Sequence, residues 1–232
     1  LVVGYQRINC LLRVHFQVQV YFLFRINPNN KYGENGSARR FFDTLWINLF
    51  MKKQTYTPAR SITPEIEEML NKQIVMEGKS SAAYLSMASW CDTQGYEVSA
   101  EFLYKHSEEE RIHMLKLFRY VNAAGGHALQ PEVTGIKHKF STLREVFESV
   151  LTHEIEVTKS INNIVDQCLQ IKDFATFNFL QWYVNEQREE ETLARRAVEI
   201  FDIIGEEGVG LWMIDQEVGK LEAYAARISG KL

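Results

Sequence analysis

The chain has 232 residues, of which 46% are hydrophobic and 24% charged, a balance that predicts a folded domain with a sizeable core. It contains no run of about 18 apolar residues, so no transmembrane helix is expected, and its three cysteines are too far apart for a CxxC metal motif. Residues 51–232 carry 20 Lys/Arg against 28 Asp/Glu, which argues against nucleic acid or an anionic membrane as a partner and favours metal cations.

Residues 1–50 differ from the rest of the chain. They are basic, have no helical period, and contain turn-forming Asn, Gly and Pro between residues 27 and 37. The first methionine is Met51, so we expect residues 51–232 to form the domain and residues 1–50 to be a non-native or disordered N-terminal extension. A basic targeting peptide is the alternative, although the segment lacks a clean apolar core and a small-residue cleavage site.

From Ser61 onward, apolar residues recur with a period of 3.6, which indicates amphipathic helices. Thr63 and Pro64 supply an N-cap and a first-turn proline, and Gly95 ends the first helical pattern. The pattern predicts four long helices at about 64–92, 97–124, 142–170 and 174–204, then a short fifth amphipathic helix at about 211–225.

Residues 125–140 form a connection without helical period. At about 3.3 Å per residue, this connection is long enough to run back along a helix of some 28 residues that rises about 1.5 Å per residue. The other two links between long helices are brief, so each pair that they join is antiparallel. The sequence therefore predicts an all-α four-helix bundle with a long crossover between helices two and three and a short fifth C-terminal helix.

Each long helix places a carboxylate or its amide where its inward stripe should be apolar: Glu77, Glu110, Glu154 and Gln187. Burying a lone carboxylate is costly unless it is paired or bound to a metal. Glu77 precedes Glu110 by 33 residues, and Glu154 precedes Gln187 by the same interval. The four side chains should therefore face one another at one level of the bundle.

His113 follows Glu110 by three residues, so both project from the same side of the helix. Glu-x-x-His is a di-iron ligand unit in helical bundles. The equivalent pair in the second hairpin is Gln187-x-x-Glu190. Four carboxylates (Glu77, Glu110, Glu154 and Glu190) would balance two Fe(II) ions, and hard oxygen ligands suit iron better than zinc.

These motifs resemble those of the bacterial non-haem ferritins over about Ser61 to Leu221. The resemblance rests on four segments: Glu77-x6-Tyr84, Glu109-Glu110-Arg111-Ile112-His113, His153-Glu154, and the run from Asn178 to Glu191. It implies an iron-storage protein with ferroxidase activity, which oxidises Fe(II) with O₂ or peroxide and stores ferric mineral inside a 24-subunit shell. It also implies a soluble, cytoplasmic protein.

The resemblance further assigns residues. Glu77, Glu110 and His113 would hold one iron, and Glu110 would bridge to a second iron held by Glu154 and Glu190 with Gln187 nearby. Glu109, Glu186, Glu189 and Glu190 match a third iron site of bacterial members. Tyr84 matches a tyrosine that donates an electron beside the di-iron centre.

Haem is not expected. Bacterioferritins carry a methionine haem ligand directly after the glutamate of the first ligand pair, and Arg111 stands at that place here. They also carry a second Glu-x-x-His, whereas this chain has Gln187-x-x-Glu190 at that place.

Several alternatives remain at this stage. A rubrerythrin-like di-iron peroxidase or oxygenase would share the ligand pattern, although the missing CxxC pairs and the fifth helix argue against it. A metal-free helical scaffold would leave the buried acids unexplained. Tyr84 could be an ordinary buried aromatic, and Glu189-Glu190-Glu191 an ordinary charged face. We expect His106 and His138 to be surface or interhelical hydrogen-bonding residues.

Overall fold

The computed structural model of the chain describes residues 60–229, and the predicted extension at residues 1–50 lies outside these described residues. All regular secondary structure within 60–229 is helical. The helices are α1 (Pro64–Gln94), α2 (Glu97–Ala123), α3 (Leu143–Ile171), α4 (Phe174–Ile204), α5 (Gly210–Val218) and α6 (Leu221–Ser229). None of them is long and apolar enough to cross a membrane. The predicted all-α class and the four long helices are confirmed.

Local signals account for the helix ends. The side chain of Thr63 accepts a hydrogen bond from the backbone N–H of Ile66 at the start of α1. Thr142 and Asp173 cap α3 and α4 in the same way. Gly95 ends α1 in the left-handed conformation with φ 84°, which a residue without a Cβ adopts at little cost.

The connection between α2 and α3 runs along α1. Near its beginning, the N–H of Leu129 donates to Asn71 Oδ1 at 2.8 Å. Near its end, Ser86 Oγ donates to the carbonyl oxygen of Lys137 at 2.7 Å. Asn71 and Ser86 are separated by roughly 22 Å of helix, at 1.5 Å per residue. The predicted long crossover is confirmed.

The core is divided into two apolar clusters. One contains Tyr84, Leu103, Phe147 and Phe201, and the other contains Ile66, Leu70, Leu117, Ile161 and Tyr183. Each long helix contributes to both clusters. Along the chain, α1 contributes first to the second cluster and α2 first to the first, and α3 and α4 likewise contribute in opposite orders. This is the order expected of the antiparallel pairs α1–α2 and α3–α4. The residues between the clusters form a layer of polar side chains across the bundle.

The structure divides the predicted fifth helix at about 211–225 into two short helices, α5 and α6, which meet at Gly219 and Lys220. Gly219 caps the end of α5, and a Cβ atom at this position would lie only 2.7 Å from Val98 Cγ1. Glycine permits this close approach to α2 and has a low helix propensity. Both properties favour a break at this position.

Asp215 joins α5 to the start of α2. The N-cap residue of α2, Tyr96, makes no side-chain capping bond. Instead, the N–H groups of Val98 and Ser99 donate to Asp215 Oδ2 and Oδ1 at 3.3 and 2.8 Å. Asp215 is 5% exposed, so a carboxylate distant in sequence satisfies N–H groups that the helix itself leaves free.

We predict that Asp215→Ala destabilises the domain by about 1–2 kcal/mol, because one buried and one partly buried N–H group lose their acceptor. Denaturant unfolding followed by circular dichroism measures the change. Asp166→Ala, at an exposed position on α3, is the control and should change stability by less than about 0.5 kcal/mol. Equal stability of the two variants would contradict the capping role.

Candidate metal centre

Six predicted ligand residues lie in the polar layer between the two apolar clusters. Their side chains are buried, and none of the residues is more than 6% exposed: Glu77, Glu110, His113, Glu154, Gln187 and Glu190. Each comes from the inward face of one of the four long helices. The structure therefore brings together the acids that the two equal sequence intervals predict.

The first group consists of Glu77, Glu110 and His113, whose candidate ligand atoms all lie within 4.8 Å of one another. His113 Nδ1 is 3.7 Å from Glu110 Oε2. The Oε2 atoms of Glu77 and Glu110 are both buried and make no hydrogen bond. Buried oxygens without a donor are costly, and a shared cation would satisfy both.

Electrostatics in this layer favour protonated carboxyls when no cation is present. Burial raises the pKa of Glu77 well above its ordinary value, and the nearby Glu110 raises it further. Burial and the charge of Glu154 likewise raise the pKa of Glu110 and of Glu190. Metal binding must therefore displace protons from these groups.

Glu154 is oriented by two donors. The hydroxyl of Tyr84 donates to its Oε1 atom, and Gln187 Nε2 donates to its Oε2 atom at 3.0 Å. Burial, followed by the charge of Glu154, raises the pKa of Tyr84, so the phenol keeps its proton and remains a donor. Gln187 thus contacts the layer through its amide nitrogen, while its neighbour Glu154 presents the carboxylate.

A second group lies beside the first and consists of His106, Glu109 and Glu190, again with candidate ligand atoms within 4.8 Å. His106 Nε2 is 3.6 Å from a Glu190 oxygen and 3.9 Å from a Glu109 oxygen. His106 Nδ1 lies 2.8 Å from the carbonyl oxygen of Phe102. Because a carbonyl can only accept, Nδ1 carries the proton and Nε2 has a free lone pair when the ring is neutral.

Glu186 and Glu189 are partly exposed on α4. Their charges contribute to the raised pKa of Glu190, which places both near the second group. The sequence predicts His106 to be a surface or interhelical hydrogen-bonding residue, whereas in the structure it is buried, bonds within α2 to Phe102, and lies close to Glu109 and Glu190. Its spacing of three and four residues before Glu109 and Glu110 was the available clue.

Gln73 and Ser160, which are not among the site residues predicted from the sequence, support the centre. Gln73 is completely buried, and its Nε2 donates to Glu77 Oε1 at 2.9 Å. Ser160 Oγ donates to Gln73 Oε1 at 2.5 Å, which fixes the amide orientation. Gln73 precedes Glu77 by one helical turn on the inward stripe, a position that could have identified it.

Aromatic rings enclose His113 on α2. The ring of Trp182 meets the imidazole edge to face at a centroid distance of 5.2 Å, and the hydroxyl of Tyr183 donates to the backbone carbonyl of His113 at 2.7 Å. Lys116 Nζ lies 3.3 Å from the centre of the Trp182 ring. These contacts restrict the imidazole to the rotamer that faces Glu110.

Comparison with known proteins identifies chains that are similar to this one. The family model for the ferritin-like domain matches residues 67–204. The chain is 41% identical over 164 residues to a probable bacterial non-heme ferritin-like protein of Haemophilus influenzae, covering 71% of this chain and 99% of that protein. It is 43% identical over 157 residues to the bacterial non-heme ferritin of Campylobacter jejuni, covering 68% and 94%.

Solved structures of ferritins are also similar to this chain. The open pore ferritin from the archaeon Archaeoglobus fulgidus superimposes with a TM-score of 0.66 at 40% sequence identity. The alignment covers 68% of this chain and 97% of that one.

We predict that Zn(II), a redox-inert probe, releases protons when it binds the metal-free protein at pH 6, and that its affinity rises with pH. The carboxyls with raised pKa values hold protons that the metal must displace. Without metal, the raised pKa values of these carboxyls contribute stability to the folded state, and this stability is fully present below their unfolded pKa of about 4.5. It is lost as the pH rises through their folded pKa.

Calorimetry in buffers of different ionisation enthalpy measures the released protons. Glu77→Gln removes one of the titrating groups and should reduce the number released. Glu108→Gln, at an exposed position of the acidic run 108–110, should leave that number unchanged. Binding without net proton release would contradict the raised pKa values.

Proposed function

The chain belongs to the ferritin family, and from this premise we propose that it is an iron-storage protein of the non-haem type whose polar layer oxidises Fe(II) before the product enters a ferric mineral. Fe(II) is the substrate and cargo of this reaction, so the ligands must bind it and also release its oxidised form. The ferroxidase activity is the part of the proposal that requires a direct test.

The observation that supports this proposal best is that the Oε2 atoms of Glu77 and Glu110 are buried beside His113 and make no hydrogen bond. Apolar residues of similar size would serve a purely structural role better, because buried acids with unsatisfied oxygens destabilise a fold. Hard oxygen ligands with one imidazole match the preferences of iron in such bundles.

In the proposed reaction, Glu77, Glu110 and His113 hold one Fe(II), and Glu110 also contacts a second Fe(II) held by Glu154 and Glu190. Two Fe(II) ions supply two electrons. With two protons, these electrons reduce O₂ to H₂O₂, or reduce H₂O₂ to two water molecules. The protein contributes fixed geometry and four negative charges, which favour the more highly charged Fe(III) product.

Tyr84 is proposed as an additional electron donor. Its hydroxyl bonds directly to Glu154, so an electron and the phenolic proton can leave together, the proton passing to that carboxylate. The residue is 2% exposed, which protects an oxidised ring from solvent reductants.

The second group is proposed to hold a third iron. Glu109 and Glu190 supply carboxylates, Glu186 and Glu189 add negative charge nearby, and His106 Nε2 offers a nitrogen ligand. Glu190 would belong to both the second and the third site, so occupation of one should influence the other.

Assembly and location form a further part of the proposal. The named relatives are ferritins, and we propose the 24-subunit shell and the cytoplasmic location that the sequence resemblance implies. A rubrerythrin-like peroxidase remains the rival activity. Turnover of H₂O₂ with an external electron donor and without iron deposition would favour that rival.

We predict that Glu110→Ala slows Fe(II) oxidation at least about 100-fold at saturating iron, because both irons lose the same ligand. Stopped-flow absorbance measures the rate. Glu108→Ala removes an exposed glutamate from the same helix and should retain the wild-type rate. A wild-type rate in the Glu110 variant would refute the site assignment.

A second prediction concerns the proposed third site. Replacing Glu186 and Glu189 together by Gln removes two charges at nearly constant shape, so anaerobic Fe(II) binding should fall from about three to about two ions per subunit. The first two ions should bind as before, since neither residue belongs to the first two sites. Binding of three ions by the double variant would show that the acidic run is a solvated face.

A further inference from the structure

A cavity lies in the groove between α3 and α4. It has a volume of about 340 Å³, which at roughly 30 Å³ per water molecule is room for a small polyatomic ion with several waters. Gln187 forms part of its wall and is 2% exposed. The exposed residues Arg188 and Arg195 line its outer part.

The charges in this cavity favour an anion. Arg188 and Arg195 stand two helical turns apart on α4, so both face the groove. Arg195 is paired with Glu191 at 3.0 Å, which leaves that pair neutral. Among the residues that the structure describes, the Arg188 guanidinium has no ion pair or hydrogen-bond partner. The cavity therefore contains one uncompensated positive charge.

An orphaned donor points to the same kind of ligand. Thr158 Oγ1, in the cavity wall contributed by α3, is buried and makes no hydrogen bond. A helical threonine commonly donates to the carbonyl oxygen four residues earlier. Here that carbonyl belongs to Glu154 and lies 3.5 Å from Gln187 Nε2. The hydroxyl is thus unpaired behind the cavity surface, and a rotation of the side chain about Cα–Cβ would turn it towards an acceptor in the cavity, where the exposed amide of Asn162 offers a further donor.

We propose that this cavity binds inorganic phosphate, with Arg188 and Arg195 contacting its oxygens from the outer side and the hydroxyl of Thr158 donating from the wall. A tetrahedral oxyanion offers several acceptors at once, which matches a set of separate donors from two helices. Guanidinium groups bind phosphate oxygens through charge-assisted hydrogen bonds.

The position of the cavity gives phosphate a role in mineral formation. Gln187 lines the cavity and donates to Glu154 Oε2 at 3.0 Å, so a bound phosphate would be separated from the metal layer by one amide side chain. Oxidised iron that leaves this side of the layer would meet a phosphate ligand. This consequence depends on the proposed ferroxidase function, whereas phosphate binding does not.

Isothermal titration of inorganic phosphate into the metal-free, assembled protein, at constant ionic strength in chloride buffer, tests the proposal. Saturable binding is expected for the wild type. Arg188→Gln should weaken binding at least about tenfold, and Thr158→Val, which keeps the side-chain shape, about threefold. Since no iron is present, failure of phosphate binding is distinguishable from failure of Fe(II) oxidation.

Arg111→Gln is the matched control, because Arg111 is exposed and directly follows Glu110 as Arg188 follows Gln187. It should bind phosphate within about twofold of the wild type, since it removes the same charge at a different place. Absence of saturable wild-type binding, wild-type affinity in either cavity variant, or an equal loss in Arg111→Gln would each overturn the proposal.

Discussion

Burial of several carboxylates in one layer is the constraint on which the rest of this structure depends. Glu77, Glu110 and Glu154 are each at most 2% exposed, and each would be more stable in water than in a protein interior. A bundle can retain such a layer only if the surrounding core is strong and if protons or a cation compensate the charges. The apolar core and the polar layer of the bundle meet these two requirements separately.

The two apolar clusters on either side of the layer meet the first requirement. They contain most of the large buried side chains, so the helices cannot rotate to expose the acids without exposing apolar surface as well. The crossover adds to this restraint, because its bonds to Asn71 and Ser86 hold it along α1. The apolar clusters and the crossover thus stabilise the bundle on both sides of the layer. The layer itself keeps unsatisfied oxygens that could bind a metal ion.

Much of this arrangement could be predicted from the sequence because it depends on local spacing. Helical period, caps and the two intervals of 33 residues locate the layer without any tertiary information. Two of the residues missed act through contacts between distant segments: Ser160 with Gln73, 87 residues apart, and Asp215 with the start of α2. No periodic signal records such pairs. The break at Gly219 likewise depends on how closely Val98 approaches it.

The two hairpins repeat the same geometry with different chemistry, and the difference gives the layer a direction. On α2, His113 is enclosed by Trp182 and Tyr183, which restricts its motion. On α4, the carboxylate of Glu190 takes the equivalent place, and Gln187 contacts an open cavity. In the proposed reaction, the ion at His113 therefore has two carboxylate ligands and an enclosed surrounding, whereas the second ion has three carboxylate ligands and lies beside the wall of that cavity. An open surrounding on that side is what a centre needs if it must pass its product on.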